Sequence, residues 1–539
     1  MSTFDYIIVG AGSAGCVLAN RLTEEADCRV LLLEAGGEDD SPLIKTPATY
    51  MMLQDSKVDW AYRTVPQVHL GGRRIFSPRG RVLGGSSSIN FGIYMRGNAR
   101  DFDRWRDADN PGWGYADVLP YFKRAEDNRD IHDEWHGRGG PLTVTSSPTV
   151  HPLVQPYLDA AQEAGLPLNP DFNGARQFGC GLLQRTIRDG SRCSAAEAYL
   201  RPALSRPNLT VLTHAYVTAL KLKGKYSIGG VEFIRDGQVH QAHAGIEVVL
   251  SGGAFNSPHL LMLTGIGPAK ELEHLGVKVV HDLPGVGKNL QDHVGVRFGY
   301  EINQPLSFSA LPGPVKQAAM EEYARSRTGP MAGNHLEAGA YATSTAGEES
   351  WPALQLFFFA SLPTPYPEAG PSELHGMGAN SYVNRPCSTG QVTLASPDPL
   401  VRPVIDPNYL GDPEDMRVLM AGVRWNLKIL GGQPLEQFRK RAVFPDSLER
   451  DDDALQTFIR DRATTFWHVS GTCKMGTDSA AVVDSALRLR GLEGLRVVDA
   501  SVMPHVVGAN TNAAVIMIAE KASDMIRQRS SLRATADAA

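Results

Sequence analysis

A chain of 539 residues, 42% hydrophobic and 21% charged, has the make-up of a folded protein and is too long for one compact core. A net charge of −6, with no basic block, argues against a nucleic-acid partner. The six cysteines (Cys16, Cys28, Cys180, Cys193, Cys387 and Cys473) are scattered without CxxC or zinc spacing. They read as buried thiols in a reducing compartment, with neither a disulfide framework nor a metal site. The opening MSTFDYIIVG has no basic n-region or small-residue cleavage site, and no apolar run approaches the roughly 18 residues that span a bilayer. The expectation is a cytoplasmic protein with membrane contact at most peripheral.

In chain order, Phe4–Val9 is a β-rich run leading directly into Gly10-Ala11-Gly12-Ser13-Ala14-Gly15. Val17, Leu18 and Leu22 then recur at helical spacing, and Arg29–Leu33 is a second apolar strand ending at Glu34. In such a turn the first glycine allows the tight bend and the second lets backbone approach a pyrophosphate. The third permits close helix–strand packing, and the helix N-terminus takes the phosphates. Glu34 lies 24 residues after Gly10, where an acid would bind a ribose hydroxyl. This pattern predicts a dinucleotide and leaves NAD and FAD open.

Residues 80–97, GRVLGGSSSINFGIYMRG, offer backbone and hydroxyl donors on a loop that Gly84 and Gly85 let approach a ligand, a plain flexible loop being the competing reading. Ile246–Leu250 reads as a strand and 253–267 as a buried helix between glycine turns. Residues 301–410 are rich in proline and glycine, with strand-like runs at Leu354–Phe359, Tyr382–Val383 and Gln391–Ala395. A helix follows, with Asp412 as N-cap, Pro413 in the first turn and Gly431 as the stop. Near the end, Leu495–Val498 reads as a buried strand ending at Asp499. Asn510-Thr511-Asn512 then introduces a helix whose free N–H groups and positive dipole end could receive negative charge.

The segments 80–97 and 253–267 resemble the two signatures of the glucose–methanol–choline (GMC) flavoprotein oxidoreductases. HVSGTCKMG at 468–476, VVDSALRLRGLEGLRVVDASVMP at 482–504, GANTNAAVIMIAEKASDMI at 508–526, LPGVGKNLQDH at 283–293 and RCSAAEAYLRPAL at 192–204 are similar to further blocks of that family. The resemblance runs through residues 4–526 and is nearest the bacterial choline, alkanol, polyethylene-glycol and L-sorbose dehydrogenases. It implies an α/β fold in which a Rossmann-type FAD-binding domain joins a substrate domain with an antiparallel sheet backed by helices. The expected division places 1–160, 195–300 and 465–527 in the FAD-binding domain. Residues 161–194 and 301–464 form the substrate domain, and 528–539 a frayed polar tail.

The cofactor implied is FAD. Its ADP half would meet Gly10, Gly12, Ser13, Ala14, Gly15, Glu34 and Ala35, with Val217 near the adenine. The flavin would meet Arg81, Gly84, Gly85, Asn90, Phe91, Gly92, Ile93, Ala500, Asn510 and Thr511. Some relatives attach FAD through a histidine where this chain has Ile89, so a non-covalent cofactor is expected. Alcohol oxidation needs a base matched to neutral pH, and histidine suits. The resemblance selects His468 as base and Asn512 as donor to the substrate oxygen, with His505 and Asn510 as neighbouring rivals and Asn510 assigned to the flavin pyrimidine. Trp60, Glu337 and Trp467 are candidates for the substrate pocket, while core packing competes for the Phe357–Phe359 run.

The reaction expected is oxidation of a primary alcohol, polyol, sugar or polyether end group to aldehyde or ketone by hydride transfer to flavin N5. A quinone or other acceptor would take the electrons. An oxygen-using oxidase and a choline dehydrogenase are the alternatives, a lyase with structural flavin a further one.

Overall fold

Four consecutive aliphatic residues at Val30–Leu33, every one buried, call for a strand covered on both faces. A computed structural model, which describes residues 3–147, 150–363, 372–445, 448 and 451–537 (529–537 as backbone alone), places it inside a seven-stranded sheet. Leu209–Leu212, Val30–Leu33, Thr3–Val9 and Gln238–Leu250 run parallel in that order, and Leu495–Val497 joins the far side of Gln238–Leu250. The long strand Gln238–Leu250 also leads an antiparallel meander through Ile228–Arg235 to Tyr216–Leu222. Helix Ser13–Leu22 follows the first strand and packs against the last helix, Asn512–Asp537. A Cβ on Gly15 would collide with the Gly10 carbonyl, so the close helix–strand approach expected of the third glycine is present.

The second sheet is antiparallel. Its order is Arg439–Ala442, Val294–Ile302, Gly376–Val383, Leu354–Phe359, Ala338–Ala342 and Gly179–Leu182, and Thr464–Thr465 also pairs with Val294–Ile302. Period-two alternation divides its side chains. Val294, Val296, Phe298, Leu354, Leu356 and Phe358 enter a core shared with helices Val154–Glu163, Pro413–Leu430 and Asp452–Arg462. Phe357 and Tyr382 point the other way, into a cluster with Ile93 and Phe466 between the two sheets. Helix Pro413–Leu430 starts as its sequence requires, the Asp412 side chain accepting from the Glu414 amide at 2.9 Å.

Two features differ from the sequence reading. Helix Val154–Glu163 and strand Val294–Ile302 pack in the second core, so both pass to the substrate side of the expected boundaries. The tail expected from 528 onward continues as helix to Asp537. Gln528, Arg529, Leu532, Arg533 and Ala534 are good helix formers that extend a helix already nucleated by packing. No helix among the described residues is long and apolar enough to cross a membrane.

A buried polar knot ties residues 96–136 to the segment around Asp171. His136 Nδ1 lies 2.9 Å from Glu126 Oε1 and its Nε2 lies 3.0 Å from Asp171 Oδ2, while Arg96 pairs with the same Glu126. Burial alone would pull the imidazole down; the hydrogen bonds to Asp171 and Glu126 outweigh it and hold it at about 9. A raised folded pKa stabilises the fold in full below the unfolded value near 6.5, and that contribution is lost as pH climbs through 9. The thermal midpoint of the native chain should therefore fall between pH 6.5 and 9.5 by more than that of His136→Gln. Parallel curves would remove this role from His136.

Candidate active site

Between the two sheets runs a long cleft of about 1750 Å³, open mouth included. Its first half is floored by backbone. Gly10 adopts φ +100°, and a Cβ there would lie 2.5 Å from the Ser251 carbonyl oxygen. Gly85, at φ +54°, passes so close to the first turn that its Cβ would lie 2.6 Å from Gly12 Cα. Gly10, Gly12, Ser13, Ala14, Glu34, Ala35 and Val217 all line this half. Such a floor, bare of side chains and headed by the N-terminus of helix Ser13–Leu22, fits a pyrophosphate. Glu34 is buried, accepting from the Ala11 and Gly36 amides at 2.9 Å each. Burial raises its carboxyl to about 7 against those two hydrogen bonds.

Gly15 and Gly84 serve the floor from behind rather than lining it. Gly84, at φ +84°, gives its N–H to the Ala11 carbonyl at 2.8 Å and so ties the serine-rich loop to the first turn. Arg81 is exposed, with its guanidinium 4.8 Å above the ring of Trp60, and is not among the residues that line the cleft. Trp60 does line it, but its ring stacks on Tyr62 and meets Tyr216, on the side formed by Val217 and away from the substrate end expected for it. Glu337 lies off the cleft, its carboxylate held by the His151 amide at 2.6 Å.

The second half of the cleft is lined by Asn90, Phe91, Gly92, Ile93, Phe466, Trp467, His468, Ala500, Asn510 and Thr511, with Asn512 on the side of the first half. His468 follows the short strand Thr464–Thr465, which is pinned to Val294–Gly295. Its own amide bonds Asp292 Oδ1 at 2.7 Å, and the same carboxylate accepts from Thr465 and Tyr409. Trp467 takes φ +66°, a costly conformation for a bulky residue. It is held there by an amide bond to Thr465 Oγ1 at 2.7 Å and by Arg79 on its carbonyl at 2.5 Å, and its ring stacks on Phe91 at 5.3 Å.

A directed chain of hydrogen bonds fixes the imidazole. His293 Nε2 lies 2.9 Å from the Asn384 carbonyl oxygen, which can only accept, so that nitrogen carries the proton. Burial depresses His293 to about 3, hence it is neutral and its Nδ1 is bare. His468 Nδ1, 2.8 Å away, must then donate to it, which leaves His468 Nε2 as a lone pair. That lone pair faces Asn510 Nδ2 at 3.0 Å. The Asn510 amide is oriented in turn, because Tyr382 donates to Gln355 Oε1 and Gln355 Nε2 lies 3.4 Å from Asn510 Oδ1. Burial, then His293, then Arg79 hold His468 well below the ordinary histidine range, so at neutral pH it is an unprotonated base.

The geometry places the two asparagines differently from the expectation. Asn512, expected beside the base, instead accepts from Ser13 Oγ at 2.7 Å on the dinucleotide side. Asn510, expected against the pyrimidine, is the one bonded to His468. His293 and Arg79 were not singled out in the sequence. The signal available for His293 was its place as the last residue of the block LPGVGKNLQDH.

Comparison with known proteins agrees with this architecture. Family models described as GMC oxidoreductase match residues 4–295 and 386–519. The chain is 42% identical over 534 residues to an alcohol dehydrogenase [acceptor] of Pseudomonas putida, covering 97% of this chain and 95% of the relative. It is 43% identical over 537 residues to an oxygen-dependent choline dehydrogenase of Paraburkholderia xenovorans, covering 98% and 95%. Among solved structures, pyridoxine 4-oxidase from Mesorbium loti superposes with a TM-score of 0.89 at 34% identity, covering 97% of this chain and 99% of that one.

Proposed function

Since this chain belongs to the GMC oxidoreductase family, whose cofactor is FAD, we propose that it oxidises an alcohol at carbon with His468 as the base and Asn510 as the donor to the substrate oxygen. The observation that carries this reading is the lone pair of His468 Nε2, turned toward the cleft by His293 behind it and met there by the Asn510 amide. FAD, when bound, supplies the hydride acceptor at N5 of its ring.

The chain's own residues account for the rest. The bare-backbone turn from Gly10 to Gly15 and the start of helix Ser13–Leu22 would hold the pyrophosphate, and Glu34 the ribose hydroxyl. Ile89 lines the cleft with hydrocarbon and offers no nucleophile, so the cofactor is held without a covalent bond. His468 Nε2 takes the hydroxyl proton, and the alkoxide so formed expels hydride far more readily than the alcohol. Asn510 Nδ2–H follows the oxygen as its charge grows, an electrostatic gain confined to the reacting state. The first turn of helix Asn512–Asp537 points its positive end at the same region, and Arg79 adds a cation that favours developing negative charge.

Electrons leave to a quinone or another acceptor, with oxygen as the rival and choline as the rival substrate. The test is to mix the yellow holoprotein anaerobically with primary alcohols, polyols, sugars and choline, following flavin absorbance, and then to admit acceptors. Rapid bleaching by one class of alcohol is expected, with peroxide well below one equivalent per turnover in air. A flavin that keeps its colour with every alcohol would overturn the redox reading in favour of a lyase, and stoichiometric peroxide would make the protein an oxidase.

A further inference from the structure

Arg297 stands on the second sheet in register with Asn380, on the face opposite Val296 and Phe298, behind the rings that line the cleft and not itself part of the lining. Its guanidinium carbon is 5.0 Å from the Phe466 ring centroid and 5.4 Å from that of Trp467. Both of those rings line the cleft immediately before His468. Among the described residues Arg297 has neither an ion pair nor a hydrogen bond from its side chain, and its Nε is buried without a partner. The ionisable group acting on it is Tyr50, a phenol that burial pushes up to about 12 and thus keeps neutral. Burial brings the guanidinium down only to about 10, so it remains a cation at neutral pH.

The carboxylates lining the cleft are both committed elsewhere. Glu34 holds the Ala11 and Gly36 amides, and Asp499 holds the Gly253 amide at 2.8 Å and the Ser257 hydroxyl at 2.6 Å. Neither stands with Phe466 and Trp467. A quaternary ammonium group is recognised by aromatic faces or by a carboxylate. Here the aromatic faces beside the base already carry a resident cation, and a second one would meet repulsion. A carboxylate would meet the opposite, a planar fork of donors with nothing of its own to bind.

We propose that Arg297 determines specificity by receiving an anionic group, a carboxylate, on the alcohol substrate, and that it bars quaternary-ammonium alcohols. The inference rests on the alcohol-oxidation reading above and narrows it to hydroxy acids.

The test uses two frames, each varied only at its terminal group. One is 6-hydroxyhexanoate, 1-hexanol and (5-hydroxypentyl)trimethylammonium. The other is 4-(hydroxymethyl)benzoate, benzyl alcohol and its 4-trimethylammonium analogue. In whichever frame the holoenzyme bleaches, the carboxylate should exceed the neutral alcohol in kcat/KM by about 10- to 100-fold, the range for a hydrogen bond to a charged group, and the cation should rank last. In Arg297→Gln the carboxylate-to-neutral ratio should collapse toward one, chiefly through KM. Arg297→Lys should keep part of it, and Arg297→Glu should reverse the order. A cation oxidised as well as its carboxylate partner by the native enzyme overturns the proposal while leaving alcohol oxidation intact, and so does a ratio that survives Arg297→Gln. Failure of every alcohol, neutral and charged, to bleach the flavin removes the alcohol reading itself and this inference with it.

Discussion

His468→Ala should retain its yellow cofactor and lose about two to four orders of magnitude in the rate of flavin reduction, the span that a positioned general base supplies. The expectation follows from how firmly the imidazole is held. Its amide is fixed to Asp292, its Nδ1 donates to His293, and its Nε2 faces the cleft. No other ring nitrogen is bonded to Asn510 among the described residues. The pH profile adds a second readout with a definite sign. Because burial, His293 and Arg79 hold His468 well below its ordinary range, the base form persists through neutrality. The acid limb of the native rate should lie well below pH 6.5. Stopped-flow reduction of the two enzymes under anaerobic conditions measures both. A variant that reduces its flavin at nearly the native rate would relocate the base, and a native limb at or above 6.5 would contradict the electrostatics.

Asn510→Ala is expected to be the second most costly change, slowing reduction by about 10²- to 10³-fold as the loss of a donor to a developing oxyanion does. Asn512→Ala should behave differently, although the two residues are separated by a single position. Its side chain accepts from Ser13 Oγ, so its loss should loosen the cofactor and alter the reduction rate of bound flavin by less than about tenfold, the scale of one neutral hydrogen bond. Titrating each variant with FAD and then measuring reduction at saturation separates the two effects. If Asn512→Ala proved the slower enzyme at saturating FAD, the assignment of the two amides would have to be exchanged.

The difference between those residues shows what could be read from the linear chain and what could not. The dinucleotide half was legible because a glycine turn is a local object, and Gly10, Gly12 and Gly15 dictate their conformation whatever lies elsewhere. The strands on either side, Thr3–Val9 and Val30–Leu33, follow from the same short stretch. The reacting half is assembled from segments far apart. His468 reaches His293 because Thr464–Thr465 pairs with Val294–Gly295, a register no local pattern encodes. Asn510 precedes the helix that Asn512 begins, so their side chains diverge, one toward the base and one toward the first turn. Glu337 and Trp60 stand out only by residue type, and residue type says nothing about which side of a sheet or which end of a cleft a side chain occupies. Arg297 had no signal at all, because a lone arginine in VGVRFGYEI becomes notable only when its surroundings prove to hold no acid.

Helices Ser13–Leu22 and Asn512–Asp537 meet at the cleft. Ser13 bonds Asn512 across 499 positions, and Arg21 in the same first helix grips Glu520 in the last. A growing chain thus displays its glycine turn 499 positions before the residue that closes over it has been made. Uptake of the yellow prosthetic group should accordingly wait on helix Asn512–Asp537 rather than on the glycine turn alone.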